Sequence, residues 1–309
     1  MTLMTKCWKE YNRLPDEKKK RAKPLNDLSG SEWAQLSPSV NVYNGTIAQK
    51  RKTHGASYPI TLAKHIINIY TSKGDTVLDP FVGVGTTTDA ARLLGRNGIG
   101  FEINQKFSEL AKAGVDSADR SKTDSTENVD IQIILDSCLN LRKYVTDESV
   151  DLILTSPPYC NLLNKTVGEF TGSIYSKNIY TGRKLAKPYS SDEKDFGNME
   201  LTEYSANIKK LMEELYTISR QGSYNVWVVR DYRDMEDHCP YVNLHSKIID
   251  LATQAKWILF DIVIWDQTKQ RKLVKLGGKN CRRFYFNMGH SFLLIFRKNI
   301  EGELFHNGT

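Results

Sequence analysis

Val150-Asp151-Leu152-Ile153-Leu154-Thr155-Ser156-Pro157-Pro158-Tyr159 is an apolar strand that runs into a double-proline turn. Proline has a fixed φ and no N–H, so neither ring can extend a sheet ladder. The strand therefore ends at Thr155, and a hydroxyl (Ser156) and an aromatic ring (Tyr159) flank a rigid bend. Ligands of open α/β sheets bind outside the carboxyl ends of the strands, which is where this bend lies. Its chemistry suits a flat ring that carries an exocyclic amine.

A second strand, Thr76-Val77-Leu78, runs into Asp79-Pro80-Phe81-Val82-Gly83-Val84-Gly85-Thr86-Thr87-Thr88 and then into a helix. Gly83 and Gly85 allow a tight turn and close approach of a ligand to the backbone. The helix N-terminus beyond them offers free N–H groups. Glu102 closes the next strand, Gly98-Ile99-Gly100-Phe101-Glu102, where a carboxylate accepts from ribose hydroxyls in nucleotide-type sites. A dinucleotide fingerprint would place its third small residue at Thr88, which is neither Gly nor Ala. Asp79 would also face a pyrophosphate of like charge. An acid there suits a ligand with a cationic amino group, such as S-adenosylmethionine.

Strand and helix patterns alternate along the chain. Leu62, Ile66, Ile67, Ile69 and Tyr70 fall on one helical face. A helix over Thr86 to Leu94 is stopped by Gly95, and another contains Phe107 to Ala113. Val129 to Leu135 reads as a strand ending at Asp136. Tyr204, Ile208, Leu211, Met212, Leu215 and Ile218 mark an amphipathic helix expected to end at Gly222. The strand Asn225 to Val229, the helix Leu244 to Ala255, and strands over Trp257 to Trp265 and Ser291 to Arg297 complete the pattern. Such alternation predicts a largely parallel sheet covered on both faces. Residues 1–53 read as a basic extension with one short helix capped by Ser29 or Ser31. Residues 54–309 read as the catalytic domain, with 115–128 a surface linker and 160–199 and 267–288 as insertions.

With 309 residues the chain has room for one large α/β domain with additions, or for two small domains. No apolar run reaches the ~20 residues of a bilayer span, and Met1 to Glu10 lacks the apolar core of a signal peptide. A cytoplasmic protein is expected. Cys7, Cys138, Cys160, Cys239 and Cys281 form no C-x-x-C pair, so no metal site is expected. The net charge of +7 is concentrated in clusters at Lys18 to Lys23, Lys50 to Lys52 and Lys269 to Arg283. Three such clusters point to a phosphate backbone as partner.

The two motifs together, with the helix from Tyr58-Pro59 to Tyr70 and the closing strand after Gly289-His290, resemble the S-adenosylmethionine-dependent amino-group DNA methyltransferases, in particular their cytosine-N4 branch. The likeness covers most of residues 54–297. It implies a Rossmann-like methyltransferase fold with a doubly wound, mostly parallel sheet. It implies S-adenosylmethionine as cofactor and double-stranded DNA as partner, with a cognate restriction endonuclease acting on the same site. By that likeness Asp79 holds the methionine amino group, directly or through water. Pro80, Phe81, Gly83 and Gly85 line the cofactor, and Thr86 and Thr87 reach its carboxylate. Glu102 takes the ribose hydroxyls, and Asp136 with Ser137 faces the adenine amine. Ser156, Pro157, Pro158 and Tyr159 hold the target base. The Ser156 hydroxyl and the Pro157 carbonyl accept the two amine hydrogens, and Tyr159 stacks on the flipped ring.

Adenine-N6 enzymes of the superfamily usually carry Asp or Asn where Ser156 stands, so serine favours cytosine. Adenine-N6 transfer is the alternative, followed by an RNA N-methyltransferase. The glycine motif precedes the proline turn, the reverse of many cytosine-N4 enzymes. No large recognition domain fits between them, so base reading falls to 160–199 and 267–288, with 1–53 as a further aid and Arg183, Lys184, Arg271, Lys272, Arg282 and Arg283 as candidate DNA contacts.

Overall fold

A computed structural model describes residues 25–44, 57–114, 129–159, 192–232, 241–270, 286 and 288–300. Its strands are β1 (Val40–Asn41), β2 (Thr76–Asp79), β3 (Asn97–Glu102), β4 (Ile131–Leu135), β5 (Val150–Thr155), β6 (Ser219–Val229), β7 (Ile258–Asp266) and β8 (His290–Arg297). Its α-helices are α1 (Gly30–Leu36), α2 (Ile60–Tyr70), α3 (Thr86–Leu93), α4 (Gln105–Lys112), α5 (Leu201–Ile218) and α6 (Leu244–Gln254). The strands form one sheet in the order β1-β7-β8-β6-β5-β2-β3-β4. All neighbouring pairs are parallel except those made by β8, which runs antiparallel to both β6 and β7.

Alternation of side chains along each strand divides the apolar residues between two cores. Leu78, Ile153, Trp227 and Leu294 pack with Leu211 and Leu215 of α5 and Ile248 of α6. Their strand neighbours Val77, Leu152, Val226 and Leu293 pack on the other face with Leu62 and Ile66 of α2 and Ala90 of α3. Strands covered on both faces must be apolar throughout, which is why they read as continuous runs. This is the doubly wound, mostly parallel sheet, covered on both faces, that the sequence implies.

From β2 the chain winds outward through β3 to β4, then returns to β5 on the other side of β2. The carboxyl ends of β2 and β5 therefore flank the point where the winding reverses. Crevices at such points take ligands. Both sequence motifs begin there.

Two elements differ from expectation. The α5 helix ends at Ile218, not at Gly222, and β6 begins at once. Gly222 lies inside β6 with φ of 75°, where the pairing register jumps from Val150↔Ser219 to Leu152↔Tyr224. Glycine serves a bulge there, not a helix stop. The second difference is β1, within the expected extension, which adds a parallel edge to β7. Residues 25–44 are fastened to the domain by further bonds. Asn26 Nδ2 donates to Ile69 O at 2.7 Å. His65 Nε2 lies 2.7 Å from Leu36 O, which can only accept, so Nδ1 accepts from Tyr43 OH at 2.7 Å. Ser29 caps α1 in a reciprocal capping box with Glu32.

Candidate functional site

Asp79 ends β2 and is 2% exposed. Its Oδ1 accepts from Thr155 Oγ1 at 2.6 Å and from the Phe81 N–H at 3.0 Å. Its Oδ2 accepts from Thr87 Oγ1 and lies 3.3 Å from Tyr58 OH. Tyr58 has one hydroxyl proton and a closer partner in Thr87 Oγ1, so the order is Tyr58 to Thr87 to Asp79. Burial pushes the Asp79 carboxyl above its ordinary value, against the pull of these donors. Four segments meet at this one carboxylate: Tyr58 (two residues before α2), the glycine loop, the start of α3 and the end of β5.

The loop after Asp79 is shaped by glycine at defined points. Gly83 and Gly85 take φ of 55° and 90°, and Gly85 is the residue before α3. A Cβ on Gly100 of β3 would come within 2.7 Å of Val82. One on Gly98 would come within 3.3 Å of Thr88 Cγ2. The helix therefore packs closely on β3 although Thr88 is large, because the small residue is on the strand. The Thr86 hydroxyl in the first turn of α3 is buried with no hydrogen-bond partner among the described residues. A water, an ion or a ligand would satisfy such a group, and the first-turn N–H groups and helix dipole favour an anion.

Glu102 ends β3. It accepts from the Asn104 N–H at 2.8 Å and from the Gly83 N–H. Burial pushes its carboxyl up to about 7, with Asp195 and Asp79 adding to the shift. Asp136 follows β4 and accepts from the Ser137 N–H at 2.7 Å, Asn140 at 2.8 Å and Tyr144 OH at 2.9 Å. Burial would raise it, but these donors outweigh burial and hold it below the ordinary carboxylate value. Ser137 is buried and caps the 3-10 turn Cys138–Lys143.

The turn after β5 is packed from below. Pro157 is buried, and Ser156, Pro158 and Tyr159 are partly exposed. The Tyr159 ring lies 6.1 Å from that of Tyr232, beyond the end of β6. Beside it Asp231, 2% exposed, accepts from Tyr241 OH at 2.7 Å and from the His245 N–H at 3.0 Å. His245 Nδ1 lies 2.8 Å from the same carboxylate. The His245 ring stacks on Phe292 of β8 with centroids 4.1 Å apart. Phe81 of the glycine loop is met edge-on by Phe196 at 5.1 Å and by Trp227 at 6.3 Å.

The sheet edge thus collects Asp79 and Glu102 with the proline turn, and Asp136 directly follows β4, the strand beside β3. Sequence reasoning passed over Thr155, Tyr58, Phe196 and Tyr232. Thr155 was legible as a hydroxyl closing an otherwise aliphatic buried strand. Phe196 carried no signal, because it falls in a stretch without periodicity; its ring meets Phe81 of the glycine loop. Arg183, Lys184, Arg271, Lys272, Arg282 and Arg283 lie outside the described residues. Among the described residues no cluster of three metal-ligating side chains occurs. No described helix is long and apolar enough to cross a membrane.

Residues 2–113 match the DNA methylase family model for the N6 and N4 types. A type II methyltransferase, M.MthZI of Methanothermobacter thermautotrophicus, is 40% identical over 90 residues, covering 29% of this chain and 24% of that protein. M.BglI of Bacillus subtilis, also a type II methyltransferase, is 39% identical over 92 residues, covering 30% of this chain and 26% of that protein. The aligned region spans about a quarter of these curated relatives. A SAM-dependent methyltransferase from Methanosarcina mazei overlays with a TM-score of 0.45 at 12% identity, over 79% of this chain and 99% of that one. The fold rests on the strand order above and not on that overlay. The family match takes in the glycine motif at 79–88 and ends before the proline turn at 156–159.

Proposed function

We propose that this chain transfers a methyl group from S-adenosylmethionine to the exocyclic N4 amine of a flipped cytosine in double-stranded DNA, as the modification partner of a restriction endonuclease. The observation that carries the reading is the Thr155–Asp79 hydrogen bond, which ties the proline turn to the glycine loop across the sheet's reversal point.

The residues fit the cofactor. Carboxylates at 79, 102 and 136 suit a ligand whose sulfonium and amino groups are cationic, and repel a pyrophosphate. The orphaned Thr86 hydroxyl and the helix terminus suit its carboxylate. Glu102 would take the ribose hydroxyls, and Asp136 with Ser137 the adenine amine. Asp79 differs from the sequence expectation in one respect: its oxygens are already served by protein donors. A methionine amino group would therefore reach it through water, the second of the two modes the sequence allows. When bound, the cofactor supplies an electrophilic methyl carbon.

The chain's own residues do the rest. A cytosine amine is conjugated with its ring, so its nitrogen lone pair is a poor nucleophile. The Ser156 hydroxyl and Pro157 carbonyl accept the two amine hydrogens and favour a pyramidal nitrogen with its lone pair directed at the methyl. Tyr159, braced by Tyr232, stacks on the extruded base, a contact worth roughly 1–3 kcal/mol. Extrusion itself costs a few kcal/mol. The amine that gains the methyl must lose one proton, which the Ser156 hydroxyl, accepting that N–H, would pass to water. In-line transfer then depends mainly on positioning. Cysteine is not needed as a nucleophile, and Cys138 is buried with its thiol pushed up.

The test is incubation of duplex DNA with methyl-labelled S-adenosylmethionine, followed by digestion to nucleosides. Label in N4-methylcytosine is expected. Label in N6-methyladenine would select the adenine reading, and preference for structured RNA in competition would move the substrate to RNA. No labelled nucleic acid would overturn the proposal.

A further inference from the structure

Parallel pairing of β2 with β5 stops at Leu78↔Ile153. Beyond it the strands carry Asp79 on one side and Leu154 and Thr155 on the other. The ladder therefore does not set the spacing between the two motifs. Across that opening runs the bond from Thr155 Oγ1 to Asp79 Oδ1, 2.6 Å long and wholly buried. Thr155 is 0% exposed and directly precedes Ser156. A doubly covered parallel strand favours aliphatic residues such as valine at such a position. A hydroxyl there costs free energy unless it is bonded. Its partner belongs to the glycine loop, and the same Asp79 oxygen also fixes the Phe81 N–H.

Building on the proposed methyl transfer, we infer that Thr155 is a positioning residue, whose hydroxyl fixes the proline turn relative to the glycine loop and so controls the transfer step and not the affinity for either ligand. The hydroxyl touches neither the cofactor nor the base. It acts through Asp79 on one side and through the backbone of Ser156 on the other. A shift of about 1 Å between reacting groups can cost on the order of a hundred-fold in rate.

The experiment compares wild type with Thr155→Val, which keeps the shape and removes the donor, and Thr155→Ser, which keeps the donor. Affinity for S-adenosylhomocysteine is measured by calorimetry, retention on genomic duplex DNA by gel shift, and methyl transfer in a single turnover. The expected result is near-wild-type binding of both ligands by Thr155→Val, with transfer slowed about a hundred-fold. Thr155→Ser should recover most of the rate. Three outcomes overturn the inference: Thr155→Val transferring at the wild-type rate, its affinity for S-adenosylhomocysteine falling as far as its rate, or Thr155→Ser being as slow as Thr155→Val. A Thr155→Val chain that fails to fold while Thr155→Ser folds would make the hydroxyl a folding requirement and also overturn it. Wild type that binds S-adenosylhomocysteine but methylates no nucleic acid would instead remove the methyltransferase reading, and this inference with it.

Discussion

Asp79 and Glu102 end neighbouring strands of one sheet, yet their surroundings differ. Around Asp79 the chain has gathered side-chain hydroxyls from Thr155 and Thr87, with Tyr58 behind them. Around Glu102 it has gathered backbone N–H groups from Asn104 and Gly83, and burial keeps that carboxyl at about 7. The first carboxylate is finished by protein contacts and holds segments together. The second carries a solvation cost that a ligand donating hydroxyls would offset. The first acid is thus a fastener, and the second suits the proposed role of a receptor.

Breaking the fastener should have the largest effect. Asp79→Ala leaves the Thr155 and Thr87 hydroxyls and the Phe81 N–H without their acceptor. At about 1–3 kcal/mol for each unsatisfied group, stability should fall by on the order of 3 kcal/mol or more, read by urea denaturation. If stability were kept and only cofactor binding lost, the two acids would not differ as described.

Next in size is Ser156→Ala, across the crevice from both acids. It should lower kcat about a hundred-fold, the cost typical of one polar group serving a transition state. Calorimetric affinity for S-adenosylhomocysteine should stay unchanged, because the role proposed for Ser156 is toward the base.

The receptor is tested by pH. Because the folded Glu102 carboxyl sits near 7, above its ordinary 4.5, the folded chain holds a proton that the unfolded chain releases between those values. Its contribution to stability is fully present below about 4.5 and is lost as pH rises through about 7. Cofactor affinity should run the opposite way, tightening as pH rises through about 7, since ribose hydroxyls donate to the ionised form. Glu102→Gln should flatten both profiles and weaken S-adenosylhomocysteine binding about ten-fold, equivalent to ~1.4 kcal/mol. A pH-independent wild-type affinity would contradict the receptor role.

The smallest effect is expected from Tyr58→Phe. It removes the outermost donor of the fastener, at about 0.5–1.5 kcal/mol of stability by thermal melting, and leaves the pH profile of cofactor binding unchanged.

The glycine loop and the proline turn were legible because each is a local matter: glycine and proline dictate backbone geometry within a few residues. The strand and helix pattern was legible for the same reason, since burial on both sheet faces writes itself into consecutive residues such as 150–155. What was not legible depends on partners far apart in the chain. Thr155 and Asp79 are 76 positions apart, and nothing near Thr155 announces the carboxylate it meets. Gly222 misled because a left-handed glycine serves a helix end and a strand bulge equally well, and only the register against β5 decides between them. Phe196 and Tyr232 act by bracing Phe81 and Tyr159, a role with no composition of its own.

The reversed strand β8 has a consequence during synthesis. It lies between β6 and β7 and satisfies both of their facing edges, but it is translated after both of them. Until its eight residues leave the ribosome, two hydrophobic strands stand with open backbone edges. Open edges are templates for pairing with other chains. At about 5–20 residues per second the interval lasts on the order of seconds. A nascent chain of this protein should therefore most need a chaperone between the emergence of β7 and that of β8, the strand that closes both edges.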